Sequence, residues 1–223
     1  MPPEGGLAAQ VSRVTVLRFS LLSLTCVSLL AGCADKRITL TYTPPAVAAP
    51  PTRQAQPLTI YAFNDRRGDE GDNDPMRVGG IYGGYGNRLS KVMADVSLMQ
   101  TLVNALAEAF KARGVPVTVV PTPLAPDAAR SPNLALSGDL KNFSTEARFT
   151  NSAHISGIVR LYAPDGAVLV EKELSERLRS DEGGGGGVFT DVKDLQRIMN
   201  ETLAKFVERV VTDPDLTARL TSQ

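Results

Sequence analysis

The amino-acid sequence predicts an α+β domain, in which a mixed β-sheet contains one βαβ unit and an antiparallel meander and two main helices pack on one face. Three observations predict this class. A strand pattern at 58–63 is followed by a helical repeat and then by a run of β-branched residues at 115–120. Alternating apolar segments follow within 134–174. A second amphipathic repeat lies at 190–211.

The chain begins with a segment that is typical of an export signal, predicted to span 1–32. Arg13 and Arg18 precede residues 19–30, which are uncharged and mostly apolar. A helix of that length spans only about 18 Å, which is short of the ~30 Å hydrocarbon core of a bilayer, so we expect no stable membrane span here.

The signal ends in Leu30-Ala31-Gly32-Cys33, which resembles the bacterial lipobox. The resemblance implies that the Cys33 thiol takes a diacylglycerol, that a lipoprotein signal peptidase cleaves before it, and that a lipid bilayer is a partner. Two or three acyl chains hold a domain durably on a bilayer, because each buried methylene contributes about 0.8 kcal/mol. The alternative is an ordinary cleavage site beside a chance cysteine. Cys26 lies within the signal, so no pair of thiols remains for a disulfide.

Two further parts are predicted after the signal: a lipid anchor and proline-rich tether at 33–57, and a globular domain at 58–223. The prolines between 44 and 57 favour a polyproline II helix, which at about 3.1 Å per residue would hold the domain ~40 Å from its anchor. Two alternatives are open for residues 38–43, whose apolar positions alternate with polar ones. They either form an edge strand of the sheet or extend the tether.

The predicted βαβ unit consists of a strand from Leu58, a helix over 97–113 and a strand over 115–120. Ser97 is the expected N-cap, and Gly114 is the expected stop because glycine tolerates a positive φ. The helical spacing is carried by Leu98, Leu102, Leu106 and Phe110. A strand, helix and strand in this order imply that the two strands are parallel and joined right-handedly.

The meander is predicted from three alternating segments, with residues 164–166 (Pro-Asp-Gly) as the turn before the third. Charges at 171–173 predict that the third strand is partly exposed or lies at an edge. A glycine run at 183–187 separates the meander from the last helix. Thr190 is the expected N-cap of that helix, and the Asp-Pro pair at 213–214 is its expected stop.

The segment between the first strand and the first helix is predicted to be a loop that carries candidate contact residues. Asp65, Arg66 and Arg67 could bind an anionic group, and the alternative is a local salt-bridge network. Asp72 and Asp74 place oxygen ligands at alternate positions, as calcium loops do. The glycine and glutamate that complete a calcium loop are missing, so the two aspartates are weak metal candidates and no cofactor is expected.

Glycines at 79–86 surround Tyr82 and Tyr85. A phosphate-binding loop is not expected, because the segment lacks the Lys-Ser/Thr ending and does not lead from a strand directly into a helix. We expect a pliable loop that packs both tyrosines on the domain. The alternative is a contact site for a ligand or a partner.

His154 is the single histidine of the chain. Ala153 and Ile155 alternate with it, so the imidazole should point to the opposite face of the sheet together with Ser156 and Arg160. We interpret it as a surface or interface residue and not as a catalytic base. No nucleophile elbow and no other catalytic signature occurs, so we expect no enzyme.

The chain has 24 basic and 24 acidic residues, so nothing in its charge favours a nucleic-acid partner. The order of its features resembles a family of uncharacterised bacterial lipoproteins similar to the YajG-type group. The features are the lipobox, a strand ending at Arg67, the glycine-tyrosine segment at 81–86, a helix closing at Gly114, further strands and a last helix. The resemblance implies an envelope lipoprotein that faces the periplasm. Ala34 after Cys33 favours the outer membrane, by analogy with lipoprotein sorting.

Two functions are consistent with these observations, and a hydrolase is the third alternative. The first is a non-enzymatic envelope component, placed by its lipid, that docks a protein partner or associates with itself. The second is a periplasmic ligand-binding module that uses the loops at 65–86 and 180–188.

Overall fold

The computed structural model describes residues 35–45, 55–68, 74–125, 132–180 and 191–221. These residues belong to a compact unit that spans 35–223. The predicted signal peptide, Cys33, Asp72, the glycine run and Thr190 lie outside the described residues. None of the described helices is long and apolar enough to cross a membrane.

The described elements are nine strands and three helices. The strands are β1 (Lys36–Ile38), β2 (Leu58–Ala62), β3 (Asn64–Asp65), β4 (Arg77–Tyr82), β5 (Arg88–Ala94), β6 (Val117–Pro123), β7 (Leu134–Ala147), β8 (Asn151–Tyr162) and β9 (Val168–Ser180). The helices are α1 (Leu98–Ala112), α2 (Val192–Val211) and α3 (Pro214–Thr221). The strands pair both parallel and antiparallel, so the predicted α+β class with a mixed sheet is confirmed.

Strand β7, with 14 residues, organises the sheet. β8 pairs antiparallel along one edge of β7. Along the other edge β2, β3 and β4 pair with β7 in succession, all in parallel. Pairing then extends from β2 to β6, from β4 through β5 to β1, and from β8 to β9. The outer edges of the described sheet are therefore β1, β6 and β9.

The predicted loop between the first strand and the first helix is wrong in its second half, which forms the hairpin β4–β5. Gly79 makes this pairing possible. A Cβ added at Gly79 would lie 1.8 Å from the carbonyl oxygen of Thr145 in β7, and the φ of Gly79 is 152°. Only glycine allows the two backbones to approach so closely. Gly79, one of the glycines that indicated a pliable loop, serves here for close strand packing.

Strands β2 and β6 pair in parallel, as the sequence predicted. The connection between them contains β3, β4 and β5 as well as α1. β6 extends to Pro123, beyond the predicted end at residue 120. An edge strand tolerates Pro121 and Pro123 because a missing N–H on its outer side costs no ladder hydrogen bond.

Residues 36–38 form the edge strand β1, so of the segment 38–43 only Ile38 lies in a strand. β1 pairs in parallel with β5. Ile38 and Leu40 are buried in the core. Both residues belong to the core cluster of the unit that spans 35–223. Residues 46–54, which carry part of the predicted tether, lie outside the described ranges.

Helix α2 holds the residues that follow β1. Its side chains accept two backbone hydrogen bonds, from Thr39 N to Gln196 Oε1 (3.0 Å) and from Thr41 N to Asn200 Oδ1 (3.1 Å). Such backbone contacts fix a short edge strand that has few ladder hydrogen bonds of its own.

The two long helices occur where their apolar spacing predicts them. Gly114 follows α1 with a φ of 80°, which confirms the predicted stop. Ser97 precedes α1, but its side chain makes no capping hydrogen bond. The predicted N-cap of α2 is wrong by one residue, because Asp191 accepts a hydrogen bond of 2.9 Å from the backbone N–H of Lys193.

The helices pack against the sheet and against each other. α1 contacts β2 and β6, α2 contacts β8 and β9, and the two helices contact each other. Arg113 Nη2 at the end of α1 donates to Glu208 Oε1 of α2 at 2.7 Å. The apolar faces of helices and strands form one core cluster.

The predicted antiparallel meander is confirmed as β7, β8 and β9. Its second turn has the expected chemistry, since the Gly166 N–H donates to the carbonyl oxygen of Ala163 (2.9 Å) and the Ala167 N–H donates to Asp165 Oδ1 (3.0 Å). β9 pairs with β8 and no other described strand, so the charges on it do mark an edge.

Candidate functional site

One side of the β7–β8–β9 sheet packs into the core and the other side carries polar side chains. We call this second side the open face. β8 shows the division clearly: Ala153, Ile155, Val159 and Leu161 are buried, whereas the even-numbered positions from 152 to 162 are half-buried. His154 therefore lies on the open face, as its position in the alternation predicts.

Cross-strand pairing arranges the open face in rows. Arg160 of β8 lies between Ser137 of β7 and Glu171 of β9. Directly opposite residues on one face are close enough for their side chains to interact. The topology thus brings together charges that are far apart in the sequence.

Arg160 joins two carboxylates across three strands. Its Nη1 donates to Asp139 Oδ2 at 2.6 Å, and its Nε donates to Glu171 Oε2 at 2.5 Å. Asp139 also accepts a hydrogen bond of 3.0 Å from Asn64 Nδ2 of β3, and Arg66 Nε lies 4.0 Å from Asp139 Oδ1. We call these five residues the Arg160 network.

The Arg160 network shifts the pKa values of its members. Partial burial alone would raise the pKa of Asp139, but the hydrogen bonds from Arg160 and Asn64 together lower it below the usual value. Hydrogen bonds to Asp139 and Glu171 raise the pKa of Arg160. Both groups are therefore ionised at neutral pH and hold each other in fixed positions.

A second ion pair on the open face is more exposed. Lys141 Nζ lies 2.8 Å from Glu173 Oε1, and these side chains are 42% and 66% exposed, against 21% and 18% for Arg160 and Asp139. Solvent screens the outer pair more strongly. Of these two ion-pair sites on the open face, the Arg160–Asp139 pair is the better shielded from solvent.

His154 occupies the next part of the open face. Its Nε2 lies 3.0 Å from Ser175 Oγ of β9, and Arg177 is its cross-strand partner. Burial lowers the pKa of His154, and the nearby Arg177 lowers it further. The ring is thus neutral at pH 7 and forms part of a hydrogen-bonded surface.

The structure separates the three predicted contact residues at 65–67. Arg67 pairs with Asp65, at 2.7 Å between Nη2 and Oδ2, and its Nη1 donates to the backbone oxygen of Arg77 at 2.8 Å. Asp65 and Arg67 therefore form a local salt bridge, which was the predicted alternative to anion binding. Arg66 is 70% exposed and extends toward Asp139 on the open face.

The structure gives Asp74 a local role. Its Oδ1 accepts a hydrogen bond of 2.9 Å from the backbone N–H of Met76, at the start of β4. An aspartate side chain that accepts a hydrogen bond from the backbone N–H two residues later forms an Asx turn. No group of three metal-binding side chains occurs within the described ranges.

The two predicted tyrosines have different surroundings. Tyr82 lies under the guanidinium of Arg148, 4.7 Å from ring centroid to Cζ, which joins the β4–β5 and β7–β8 turns. Tyr85 is fully exposed at the tip of the β4–β5 hairpin. The expectation that both rings pack on the domain is therefore wrong for Tyr85.

Two surface grooves lie beside the helices, and the first is lined in part by Glu171 of the Arg160 network. One of about 550 Å³ lies between β9 and α3, and another of about 310 Å³ lies between α1 and β6. Neither is lined by residues 65–86, where the ligand-binding alternative places its site. Residues 77–82 of that segment form strand β4, and 181–188 lie outside the described part of the chain.

Sequence reasoning missed Asp139 and Glu171, the two carboxylate partners of Arg160, as members of a site. Asp139 interrupts the mostly buried first half of β7, and this polar residue in a buried strand was the available signal. The identity of its partners depends on the register of β7 with β3 and β8, which no local pattern encodes.

No protein-family model and no curated protein matches this sequence. Among solved structures, the fold is similar to that of protein XCC0632 from Xanthomonas campestris, of the family DUF330, with a TM-score of 0.55 and 14% identity over 83% of this chain and 95% of that chain. At this identity the similarity shows a shared fold. The chain therefore shares its fold with a protein of an uncharacterised bacterial family.

Two weaker similarities were found. An uncharacterized protein has a TM-score of 0.48 with 12% identity over 79% of this chain and 96% of that chain. The PelC dodecamer from Paraburkholderia phytofirmans has a TM-score of 0.41 with 15% identity over 74% of this chain and 90% of that chain.

Proposed function

We propose that this chain is a lipid-anchored, non-enzymatic lipoprotein of the bacterial cell envelope, similar to the YajG-type group, that docks a protein partner through the open face. The observation that carries the proposal is the Arg160 network. Arginine–carboxylate pairs on the polar face of a sheet can give electrostatic complementarity, which selects a partner and fixes its orientation. Arginine is also among the residues enriched at protein interfaces.

The anchor in this proposal is Cys33. The Leu-Ala-Gly-Cys pattern after an apolar run supports acylation of its thiol, and Ala34 supports the outer membrane with the domain facing the periplasm. The contacts of both long helices with the sheet and with each other support their packing on one side, which would leave the open face for a partner.

At the β6 and β9 edges, docking through side chains fits the described residues better than strand addition. Pro121 and Pro123 remove backbone donors from the β6 edge, and charged side chains line the β9 edge. Both features oppose the pairing of a further strand. The open face, in contrast, offers the charged side chains of the Arg160 network for contact with a partner.

The test is site-specific photocrosslinking in cells with a photoreactive residue at exposed Ser175 of the open face, and with Glu201 on α2 as the matched exposed control. We expect a discrete crosslinked product from position 175, none from 201, and loss of the product when Arg177→Glu is added. Identification of the product by mass distinguishes a second copy of this chain from another envelope protein. Equal crosslinking from both positions would contradict docking through the open face.

The anchor is tested separately with Cys33→Ser. We expect this variant to leave the membrane fraction and to keep the unfolding midpoint of the unmodified domain. Retention of the variant in membranes would contradict a lipid anchor at Cys33.

A further inference from the structure

The short distance between Cys33 and β1 has a consequence for how the domain meets the bilayer. Asp35 is the first described residue, and Cys33 is two peptide units before it. Consecutive Cα atoms are about 3.8 Å apart, so the Cα of Cys33 lies within ~8 Å of that of Asp35. A lipid on Cys33 would therefore hold the sheet directly at the membrane surface.

The register of the sheet defines which end meets the membrane. β1 runs parallel to β5, and Lys36 pairs with Val92. The N-terminal end of β1 therefore points toward the end of the sheet that carries the β4–β5 turn, and Lys36 lies beside the fifth residue of β5. β7 runs parallel to β4, with Ala147 beside Ile81, so the β7–β8 turn lies at the same end.

These two turns carry exposed aromatic side chains. Tyr85 is fully exposed and Phe149 is 75% exposed. Arg148 stacks on Tyr82 and so ties the two turns together. Exposed aromatic rings are costly in water and are favoured at the level of lipid headgroups.

The charge of the two turns fits the same surface. Residues 82–88 and 147–151 contain Arg88 and Arg148 and no acidic residue, and Arg148 Nε lies 3.6 Å from Oε2 of Glu146, directly before the second turn. Arg88 is exposed, and the Arg148 side chain is 53% exposed. Arginine beside aromatic rings is the combination that holds a protein on anionic lipid headgroups.

We propose that the β4–β5 and β7–β8 turns form a membrane-contact surface that inserts Tyr85 and Phe149 among anionic phospholipid headgroups of the bilayer that holds the Cys33 lipid. This inference rests on the proposed lipid anchor. The contact would orient the strands along the membrane normal, with only the two turns at the bilayer. The open face would remain accessible to a partner.

The absence of tryptophan from the sequence allows a direct test. Tyr85→Trp and Phe149→Trp each introduce a single tryptophan at the proposed contact. Val168→Trp is the matched control, because Val168 is 52% exposed and follows the β8–β9 turn at the opposite end of the sheet. Each variant is expressed as the full chain and purified in its processed form. It is then reconstituted into vesicles of phosphatidylcholine and phosphatidylglycerol, with and without brominated acyl chains.

We expect blue-shifted emission and quenching by brominated lipid at positions 85 and 149, and neither effect at 168. Arg88→Glu with Arg148→Glu should reduce the quenching, and the reduction should be smaller in pure phosphatidylcholine. Flotation of the same vesicles reports the anchor independently. Protein that floats without quenching at 85 and 149 would overturn the membrane contact and leave the anchor intact, whereas protein that does not float would overturn both.

Discussion

Arg160 Nη1 lies 2.6 Å from Asp139 Oδ2, and this contact ties β8 to β7 on the open face. Both side chains are largely shielded from solvent, and 21 residues separate them in the sequence. Charge-assisted hydrogen bonds in such surroundings contribute more than exposed ion pairs do.

Arg160→Met should therefore lower the free energy of unfolding by about 1–3 kcal/mol, because it leaves the partly buried carboxylate of Asp139 without its strongest partner. Urea denaturation at pH 7 measures this change. Lys141→Met is the control and should change stability by less than about 0.5 kcal/mol, since its pair with Glu173 is exposed. Equal losses in the two variants would show that the Arg160 network is an ordinary surface pair.

The pKa of Asp139 predicts a pH dependence. Its folded pKa lies below the unfolded value of about 3.9, so its ionisation stabilises the fold above that pH and the stabilisation disappears as the pH falls through the folded pKa. The stability difference between the wild-type protein and Asp139→Asn should therefore shrink as the pH falls below about 4. Chemical denaturation across this range measures it, and a constant difference would contradict the shift.

The lowered pKa of His154 also predicts that stability depends on pH, in this case because the folded state resists protonation of the imidazole. Its folded pKa is lowered, so the folded state binds its proton less readily than the unfolded state does. The wild-type protein should lose stability relative to His154→Gln as the pH falls below about 6.5. Thermal unfolding of both proteins at several pH values measures this, and parallel curves would argue against it.

Gly79 permits the contact between β4 and β7, so Gly79→Ala should destabilise the fold by about 3 kcal/mol or more, or prevent folding. The Cβ would lie 1.8 Å from the Thr145 carbonyl oxygen, and backbone would have to move. Gly84→Ala is the control, since nothing lies within 4 Å of a Cβ there. Circular dichroism and urea denaturation compare the two, and a stable Gly79→Ala protein would refute this register.

Ile38 tests whether β1 belongs to the domain. It is 1% exposed, and Ile38→Ala should cost about 2–5 kcal/mol because it opens a cavity under the edge strand. The exposed neighbour Arg37 provides the control, as Arg37→Ala should have little effect. If Ile38→Ala is as mild as Arg37→Ala, residues 36–38 behave as a tether.

The sequence alone determined the local elements with clear periodicity. Apolar positions spaced by four predicted α1, alternation from Ala153 to Leu161 predicted β8 and the side of the sheet on which His154 lies, and Gly114 predicted a helix end. These features depend on residues that are neighbours along the chain, so a local pattern is sufficient to encode them.

Only the tertiary structure decided which elements pair. Lys36–Ile38 is too short to be recognised as a strand without β5 beside it, and the close approach of Gly79 to Thr145 exists only once β4 lies along β7. The partners of Asp139 come from β3 and β8 and depend on register. Strand pairing is set by contacts between distant residues, because any strand offers the same backbone donors and acceptors to every neighbour.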